Sequence, residues 1–554
     1  MRRFSLLAIV CFIPLVPFAP AQDKTAFEHG AVVSVSAPAS DAGAAILQKG
    51  GNAVDAAVAT AFALAVTHPA AGNIGGGGFM MIRLPDGKVT CVEYRETAPA
   101  AAHAKMFKKD DSPFTHKAVG VPGTVRGLAL AHQRYGKLPW KDVVSPAVAL
   151  ARDGFVLDKH HAKSLNTYLK ASKTDFAEFR RVFGKKDGEW LPGDRLVQPD
   201  LVKTLELIAD KGPDAFYTGP IAEQIVAEMK RGGGLITAED LAQYKANERV
   251  PIHGVYRGFD VYAPPPPSSG GFCLVEMLNM LESYDLKKHE RFSPETTHLM
   301  IEAMRRAFCD RARHLGDPAF VKNPAFLTTK EYARTLVKGV DLKKATRSED
   351  LAKDIPIAAE GDSTTHFSVI DKDGTAVANT YTLERSYGAR VVVTGAGFLL
   401  NNEMLDFNWL PGVTDKKGMI GTPPNLIAPG KRMLSSQTPT IVARDGKVRL
   451  ITGSPGSRTI INTVLGIIVS TVDYDMPLQA AVDAPRLHHQ WFPDEARIEK
   501  LKDNPKLAEA LRALGHVALD GPSQGDAHSI AVDPRTGRYI GAADKRLSGK
   551  AAGY

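Results

Sequence analysis

The sequence is poor in cysteine. Four cysteines occur among 554 residues, and Cys11 lies in a segment that we expect to be removed on export. Cys91, Cys273 and Cys309 remain, an odd number with no C-x-x-C spacing. A disulfide framework is therefore not predicted, although one bridge stays open. An exported chain of this length can rely on its apolar core instead.

Long apolar runs are also lacking. Residues 4–18 form the longest amino-terminal candidate, and Pro14 and Pro17 interrupt it, so it is too short to span a bilayer comfortably. Met-Arg-Arg precedes this run and Ala-Pro-Ala follows it, which is typical of a signal peptide cleaved after Ala21. We predict a signal peptide at residues 1–21, a periplasmic or secreted protein, and no membrane span after removal. An uncleaved anchor is the alternative.

Concentrated charge of one sign is absent as well. The net charge of +8 comes from 69 basic and 61 acidic residues that are interspersed, without a basic stripe of aromatics and cations. Nucleic acid is therefore not predicted as a partner. The adjacent pairs His160-His161 and His488-His489 would point their rings apart on a strand, and no H-E-x-x-H motif occurs. We expect no metal and no cofactor.

The most informative stretch present is residues 364–388. Residues 366–370 and 375–382 are β-branched and aromatic, and Asp-Lys-Asp-Gly lies between them, which predicts a β-hairpin. Residues 347–362 are polar and predict an exposed linker. A hydroxyl residue at the start of a hairpin after such a linker indicates a nucleophile uncovered by chain cleavage. An N-terminal threonine can use its own α-amine, which titrates near about 8, as general base. An ordinary threonine-rich strand is the alternative.

The rest of the chain mixes helices and strands. Asn52 can cap a helix whose apolar residues continue to Ala65, and residues 117–245 are mostly helical in pattern. Gly72–Gly78 lacks the Lys-Ser/Thr of a phosphate loop and precedes a strand, a turn and a second strand. A buried helix is predicted at residues 460–472. Further strands are expected at 390–393, 397–400, 440–442, 448–452, 529–532 and 539–541. Strands stacked with helices fit a four-layer αββα sandwich.

The order Thr-Thr-His-x-Ser, Asp-Gly, Thr-x-Thr-Leu-Glu and Tyr-Gly within residues 364–388 resembles the γ-glutamyltranspeptidase family. Blocks matching that family recur in order along essentially the whole mature chain, at residues 50–57, 67–69, 75–80, 122–125, 265–271, 315–318 and 552–554. The resemblance implies an α/β Ntn-hydrolase fold, an αββα sandwich formed jointly by two subunits of one self-cleaved precursor.

The resemblance also implies the cleavage site. Cleavage between Ser363 and Thr364 would give a large subunit, 22–363, and a small catalytic subunit, 364–554, which form a heterodimer. Thr364 would be the nucleophile of both cleavage and turnover, oriented by the Thr382 hydroxyl. Gly456 and Ser457 lie in the turn that matches the oxyanion hole of the family. Ser457 replaces a second glycine, and a serine N–H can still donate.

Six positions match the residues that bind the glutamyl head group in the family, namely Arg95, Glu384, Glu403, Asp406, Ser435 and Ser436. A guanidinium at Arg95 suits a bidentate α-carboxylate, shared with the two serine hydroxyls. Glu403 and Asp406 correspond to the acidic pair that receives the α-ammonium. Glu384 stands where many members carry asparagine, so the corner becomes strongly anionic. In the lid-like loop 408–422, Lys417 falls at the position of an aromatic, and Trp409 is a candidate replacement.

The resemblance implies a γ-glutamyltransferase and glutathione hydrolase, in which water or an amino acid or peptide amine resolves a γ-glutamyl-enzyme. A related Ntn acylase that hydrolyses a glutaryl-type amide is one alternative. An exported binding protein that has lost catalysis is another. Residues 521–525 also satisfy G-x-S-x-G, with Asp526 and His528 nearby. A nucleophile elbow needs a following helix, whereas strand-like sequence follows here, so we do not predict one.

Overall fold

The computed structural model describes residues 25–172, 176–352 and 364–554, together with the backbone of residues 357–358. The strands, in chain order, are β1 (Ala26–Phe27), β2 (Gly30–Ser34), β3 (Gly77–Arg83), β4 (Val89–Glu93), β5 (Phe155–Val156), β6 (Arg195–Leu196), β7 (Asn247–Arg249), β8 (Ile252–Tyr256), β9 (Phe259–Ala263), β10 (Ile357–Ala358), β11 (Thr365–Asp371), β12 (Ala376–Thr382), β13 (Met419–Ile420), β14 (Thr440–Arg444), β15 (Lys447–Thr452), β16 (Leu487–His488), β17 (Ala496–Glu499), β18 (Ala518–Gly521), β19 (His528–Val532), β20 (Tyr539–Ala543) and β21 (Lys550–Gly553).

The α-helices are α1 (Ala37–Gln48), α2 (Ala53–Thr67), α3 (Thr124–Tyr135), α4 (Trp140–Asp153), α5 (Lys159–Ala171), α6 (Ala177–Phe183), α7 (Pro199–Lys211), α8 (Asp214–Tyr217), α9 (Pro220–Gly232), α10 (Ala238–Gln243), α11 (Gly270–Leu281), α12 (Pro294–His314), α13 (Lys330–Val337), α14 (Ser348–Leu351), α15 (Thr459–Val472), α16 (Leu478–Asp483) and α17 (Pro505–Ala513). None of the helices in the described part of the chain is both long and apolar enough to cross a membrane.

Two seven-stranded sheets form the centre of the molecule. The first has the order β21-β2-β11-β12-β3-β4-β7 and the second the order β1-β20-β19-β15-β14-β9-β8. The pairs β11–β2 and β11–β12 are antiparallel, as are β14–β15 and β15–β19. The predicted hairpin is confirmed, since β11 and β12 pair from Thr365↔Tyr381 to Ile370↔Ala376.

The two sheets face each other across an apolar layer. On β3, Phe79 and Met81 belong to this inner layer, whereas Met80 and Ile82 pack with the helices on the other face. This alternation is the period of two expected for a strand buried on both faces. Ile441 of β14 contributes to the inner layer from the second sheet. The first sheet is covered by helices including α2, α4 and α7, and the second by α11, α12 and α15. The predicted αββα sandwich is confirmed.

Helix α2 illustrates how the sequence sets the packing. Asn52 accepts hydrogen bonds from Val54 and Asp55, and Asp55 accepts one from the Asn52 N–H, which completes a capping box. Every residue of α2 is buried, and alanine is frequent, so the helix packs closely between the first sheet and α4. The helix predicted here is confirmed.

Two local expectations are wrong. Residues 390–393 and 397–400 are not strands, and a single bridge joins Val392 to Leu399. Arg390 and Gly397 have φ values of 59° and 74°, which interrupt an extended run. The predicted linker is not wholly exposed either, because residues 348–351 form α14 and Ser348 is buried. The remainder of that linker from residue 353, the side chains of 357–358, Ser363 and the predicted signal peptide lie outside the described residues.

The three cysteines of the described chain are buried and form no disulfide with one another. Cys91 lies in the layer between the sheets, and Cys273 and Cys309 lie in the core beneath α11 and α12. Burial raises the pKa of the Cys91 and Cys273 thiols. The bridge that the sequence left open is not formed among these residues.

Candidate active site

Thr364 lies directly before β11, a central strand of the first sheet. Thr364, His366 and Ser368 share the strand face that looks into the layer between the sheets, since side chains alternate. Only 8% of Thr364 is exposed. Its Oγ1 donates a 3.3 Å hydrogen bond to Thr382 Oγ1, which also accepts a 2.8 Å bond from the Glu384 N–H. The two hydroxyls predicted to work together are therefore in contact.

A buried polar network follows Thr364 along the same face of β11. His366 bonds through Nδ1 to Thr380 Oγ1 at 2.8 Å and through Nε2 to Ser368 Oγ at 3.1 Å. Burial, with a smaller contribution from His528, lowers the pKa of His366 well below its usual value, so the ring is neutral. A Cβ at Gly453 would lie 2.3 Å from this ring, so only glycine fits there.

The turn that follows Gly453 carries the predicted oxyanion donors. Gly456 has φ 123° and Ser457 has φ 51°, the left-handed region that favours glycine. Thr459 Oγ1 donates a 2.7 Å bond to the Gly456 carbonyl, and Ser454 Oγ accepts from the Asp526 N–H at 3.1 Å. Ser457, which replaces a glycine, thus has a backbone conformation that favours glycine.

Thr364 opens into a large cavity. The cavity has a volume of about 670 Å³, and Gly456 and Ser457 lie on its wall with the nucleophile. The polar and charged side chains around it include His68, His160, His161, Ser164, Tyr168, Tyr387, Lys417, Arg458, Glu495, Arg497, Ser523 and Asp526. This volume is at the scale of a small-molecule site.

The predicted head-group residues form a second cluster. Arg95 is fully buried and forms ion pairs with Glu403 and Asp406, while its Nε donates to the Met433 carbonyl at 3.3 Å. Carboxylate oxygens of Glu384, Glu403 and Asp406 lie within 4.8 Å of one another. The anionic corner predicted from sequence is therefore assembled around one guanidinium.

The charges in this corner are unbalanced. Burial raises the pKa of Glu403 well above its usual value, and Glu96 and Asp406 add to this while Arg95 opposes it. Burial likewise raises the pKa of Glu96 to about 8, again against Arg95. A second cation in this corner would relieve the repulsion. A substrate ammonium would supply such a cation.

The two serines follow Met433 in the chain, and in the described part of the chain their hydroxyls bond to groups other than Arg95. Ser435 Oγ accepts from the Gln437 N–H at 3.1 Å, and Ser436 Oγ accepts from Arg311 Nη2 at 3.1 Å. Arg95 Nε donates instead to the carbonyl of Met433, which precedes the two serines in the chain. The corner does not line the 670 Å³ cavity. The hydrogen bond from the Glu384 N–H to Thr382 Oγ1 connects the anionic corner with the region around Thr364.

The loop 408–422 is split between two environments. Lys417 lies on the wall of the cavity with Thr364. Trp409 instead stacks on Phe107, with ring centroids 3.9 Å apart, and donates to the Met404 carbonyl at 2.7 Å. Lys417 therefore lines the cavity, whereas Trp409 does not, and a lid role for this loop stays a prediction.

Other candidate sites do not assemble. β18 precedes the G-x-S-x-G stretch and β19 follows it, so the nucleophile elbow that the sequence disfavoured is not formed. His298, Glu302 and His516 could approach one metal ion, but the two rings hydrogen-bond each other at 2.7 Å and Glu302 pairs with Arg305. The two imidazole rings and the Glu302 carboxylate are therefore already paired with each other or with Arg305.

The sequence does not indicate the part of the cavity wall that His68, His161 and Tyr387 form. In the sequence, His161 belongs to an adjacent histidine pair, and His68 and Tyr387 belong to longer motifs. They come from the end of α2, from α5 and from a loop, so no local pattern marks them as neighbours. Asp158 before α5 was a potential signal, because an aspartate three residues before a histidine can both cap a helix and bind the ring.

A threonine at the start of a central strand, between two sheets with helices outside, defines an Ntn hydrolase. The family profile described as Gamma-glutamyltranspeptidase matches residues 39–554, and the chain belongs to that family. It is 46% identical to the "Glutathione hydrolase proenzyme" of Escherichia coli (strain K12), over 100% of this chain and 99% of that protein.

Solved structures agree with this assignment. The chain is similar to a cephalosporin acylase from Bacillus halodurans, with a TM-score of 0.85, 26% identity and coverage of 98% of this chain and 99% of the other. It is also similar to a gamma-glutamyltranspeptidase from Pseudomonas nitroreducens complexed with L-DON, with a TM-score of 0.54 and 42% identity. That match covers 57% of this chain and 96% of the other. The family thus includes relatives named for two activities.

Proposed function

We propose that this chain is a γ-glutamyltransferase and glutathione hydrolase that uses an N-terminal threonine and no cofactor. The observation that carries the proposal is the contact of Thr364 with Thr382, at the edge of a cavity and one hydrogen bond from the anionic corner around Arg95. A γ-glutamyl donor has an α-carboxylate, an α-ammonium and a γ-amide, and each has a counterpart here.

The first step in this proposal is self-cleavage between Ser363 and Thr364. It frees the α-amine of Thr364 and divides the chain into a large subunit, 22–363, and a small subunit, 364–554. The two subunits stay together because β11 and β12 of the small subunit pair with β2 and β3 of the large one. The mature enzyme is then a heterodimer.

In turnover, the α-amine of Thr364 takes the hydroxyl proton while Oγ1 attacks the γ-carbonyl of the donor. The N–H groups of Gly456 and Ser457 receive the developing oxyanion, which such donors stabilise by about 3 kcal/mol each. The amine then protonates the leaving nitrogen, and a γ-glutamyl ester remains on Thr364. Water or the amine of an amino acid or peptide resolves the ester.

Head-group recognition would be assigned as follows. Arg95, with Ser435 and Ser436, binds the α-carboxylate of the donor. Glu403 and Asp406 exchange part of their pairing with Arg95 for the α-ammonium, and Glu384 adds a third carboxylate. Because the corner carries more acids than Arg95 can neutralise, a cationic head group is favoured over a neutral one.

A glutaryl-type acylase is the second candidate, and the structural likeness to a cephalosporin acylase favours it. The two are separated by γ-glutamyl anilide and glutaryl anilide, which differ only in the α-ammonium. We expect the γ-glutamyl anilide to have a kcat/KM higher by about 10–100-fold, because a hydrogen bond to a charged group contributes about 1.5–3 kcal/mol. Asp406→Asn should reduce this preference. Equal rates for both anilides in the wild type would overturn the γ-glutamyl assignment.

We also propose that the protein is exported, with a signal peptide at residues 1–21. The support is the sequence alone: a basic start, a short apolar run and Ala-Pro-Ala. Amino-terminal sequencing of the large subunit from the extracytoplasmic fraction should begin at Gln22. Recovery of the activity only inside cells, with Met1 retained, would contradict export.

A further inference from the structure

His161 and His68 in the wall of the Thr364 cavity, together with Asp158 behind His161, form a connected chain of titratable groups. Asp158 Oδ2 lies 2.9 Å from His161 Nδ1, and His161 Nε2 lies 3.4 Å from His68 Nδ1. Both imidazoles line the cavity. We propose that this histidine pair takes the proton that an acceptor ammonium must lose before its nitrogen attacks the γ-glutamyl-enzyme; the inference rests on the proposed function.

Transfer to an amine requires a proton acceptor in addition to the α-amine of Thr364, and the histidine pair can fill this role. Water enters deacylation as a neutral molecule, and the α-amine takes one proton from it as it attacks. An amino acid acceptor enters as an ammonium ion. It must lose one proton to become a nucleophile and a second one as the amide bond forms. Before its nucleophile can attack, transfer therefore needs a proton acceptor that hydrolysis does not need.

The local geometry suits His161 to be that acceptor. Asp158 is the N-cap of α5, and its Oδ1 accepts from the His161 N–H at 2.8 Å while its Oδ2 faces the ring. With Nδ1–H donated to Asp158, Nε2 of His161 holds the lone pair. A proton on Nε2 makes an imidazolium beside a carboxylate. The His161 side chain is 14% exposed, so it can release the proton to solvent.

His68 complements this arrangement. Burial first, then His161 and His528, lowers the pKa of His68 to about 3. The ring therefore stays neutral at ordinary pH and can pass a proton to His161 without storing it. The other titratable side chains on the cavity wall are His160, Tyr168, Tyr387, Lys417, Arg458, His488, Glu495, Arg497, Asp526 and Arg546.

In the proposed step, the acceptor ammonium gives one proton to the imidazole pair, and the proton ends on Nε2 of His161. The neutral amine attacks the ester carbonyl on Thr364, and the α-amine of Thr364 takes the second N–H proton. That proton passes to Oγ1 as the ester bond breaks. The new γ-glutamyl amide leaves, and His161 returns its proton to water, so every proton is accounted for.

The test compares hydrolysis and transfer in His161→Gln and Asp158→Asn. Asparagine keeps the N-cap oxygen and removes the charge, so α5 is preserved. We expect the ratio of transfer to hydrolysis with a dipeptide acceptor to fall by about tenfold or more, with hydrolysis within about twofold of the wild type. The loss should be largest below neutral pH. His160→Gln, which alters the exposed neighbour on the same cavity, is the matched control.

Hydroxylamine provides a second readout, because it is neutral at the assay pH and needs no prior deprotonation. Transfer to hydroxylamine should be unchanged in His161→Gln and Asp158→Asn. Equal loss with both acceptors would indicate damage to the cavity and would overturn the inference, as would an unchanged ratio with the dipeptide. If the wild type cleaves no γ-glutamyl donor at all, the proposed function fails instead.

Discussion

Glu384→Asn tests whether the anionic corner is held together under electrostatic repulsion. Glu384 is buried, has φ 72°, and its carboxylate lies within 4.8 Å of those of Glu403 and Asp406. Two unit charges at 4.8 Å repel by about 3 kcal/mol at an effective dielectric constant of about 20. Arg95, Arg385 at 3.9 Å from Glu384, and protonation of Glu403 offset part of this repulsion. Asparagine also adopts a positive φ more readily than glutamate does.

We therefore expect Glu384→Asn to increase the free energy of unfolding by about 1–2 kcal/mol at neutral pH, a rise in melting temperature of about 1–2 °C for a chain of this length. The pH dependence has a definite sign. The folded pKa of Glu403 is raised, so Glu403 is protonated at low pH, and repulsion grows as pH rises through that pKa. The stabilisation should shrink on acidification.

The assay is thermal unfolding of the Thr364→Ala background between pH 5 and 8, so that processing does not differ between variants. Glu384→Gln is the matched control, because it removes the charge and keeps a side chain unsuited to positive φ. Glu384→Gln should show only the stabilisation that comes from removing the charge. Glu384→Asn should show a further stabilisation, because asparagine adopts a positive φ more readily. A melting temperature that is unchanged or lower in both variants at pH 8 would refute the reasoning.

Three further predictions concern single side chains. Thr382→Val removes the hydroxyl that contacts Thr364, so we expect kcat to fall by about 100-fold, measured with a γ-glutamyl anilide, and stability to fall by about 1–3 kcal/mol because the buried Glu384 N–H loses its acceptor; a wild-type kcat would contradict the positioning role. Ser457→Gly should stabilise the chain by about 1 kcal/mol and leave kcat within about twofold, because φ is 51°; lower stability in thermal unfolding would argue against strain. Cys91 and Cys273 are buried with raised thiol pKa values, so a thiol reagent should modify them only in denaturant; rapid labelling of the native enzyme would show that they are accessible.

Much of the central fold follows from local sequence. The alternation in residues 366–382 and the Asp-Lys-Asp-Gly turn define β11 and β12, because strand faces and turn residues are local properties. The Asn52 cap and the small residues after it define α2 in the same way. The strand prediction for residues 390–393 and 397–400 is wrong because the β-branched run Val391–Val393 favours a strand, whereas the positive φ at Arg390 and Gly397 interrupts the extended backbone.

The residues of the site also fall into those that sequence motifs indicate and those that only the folded chain brings together. Thr364, Thr382 and Arg95 follow from motifs, since the resemblance fixes their positions along the chain. The pairing of Arg95 with Glu403 and Asp406 needs the folded chain, because some 300 residues separate the partners. The contact of His161 with His68 likewise depends on how α5 packs near the end of α2. No spacing in the sequence encodes such a contact.

The most direct test of the central claim is the denaturing mass of purified wild-type protein beside Thr364→Ala and Thr364→Ser. The account predicts two fragments in the wild type, with the smaller beginning at Thr364, an uncut chain in the alanine variant, and slower cleavage in the serine variant. A wild-type chain that stays whole after prolonged incubation, or a cut that persists in Thr364→Ala, would contradict an N-terminal threonine mechanism.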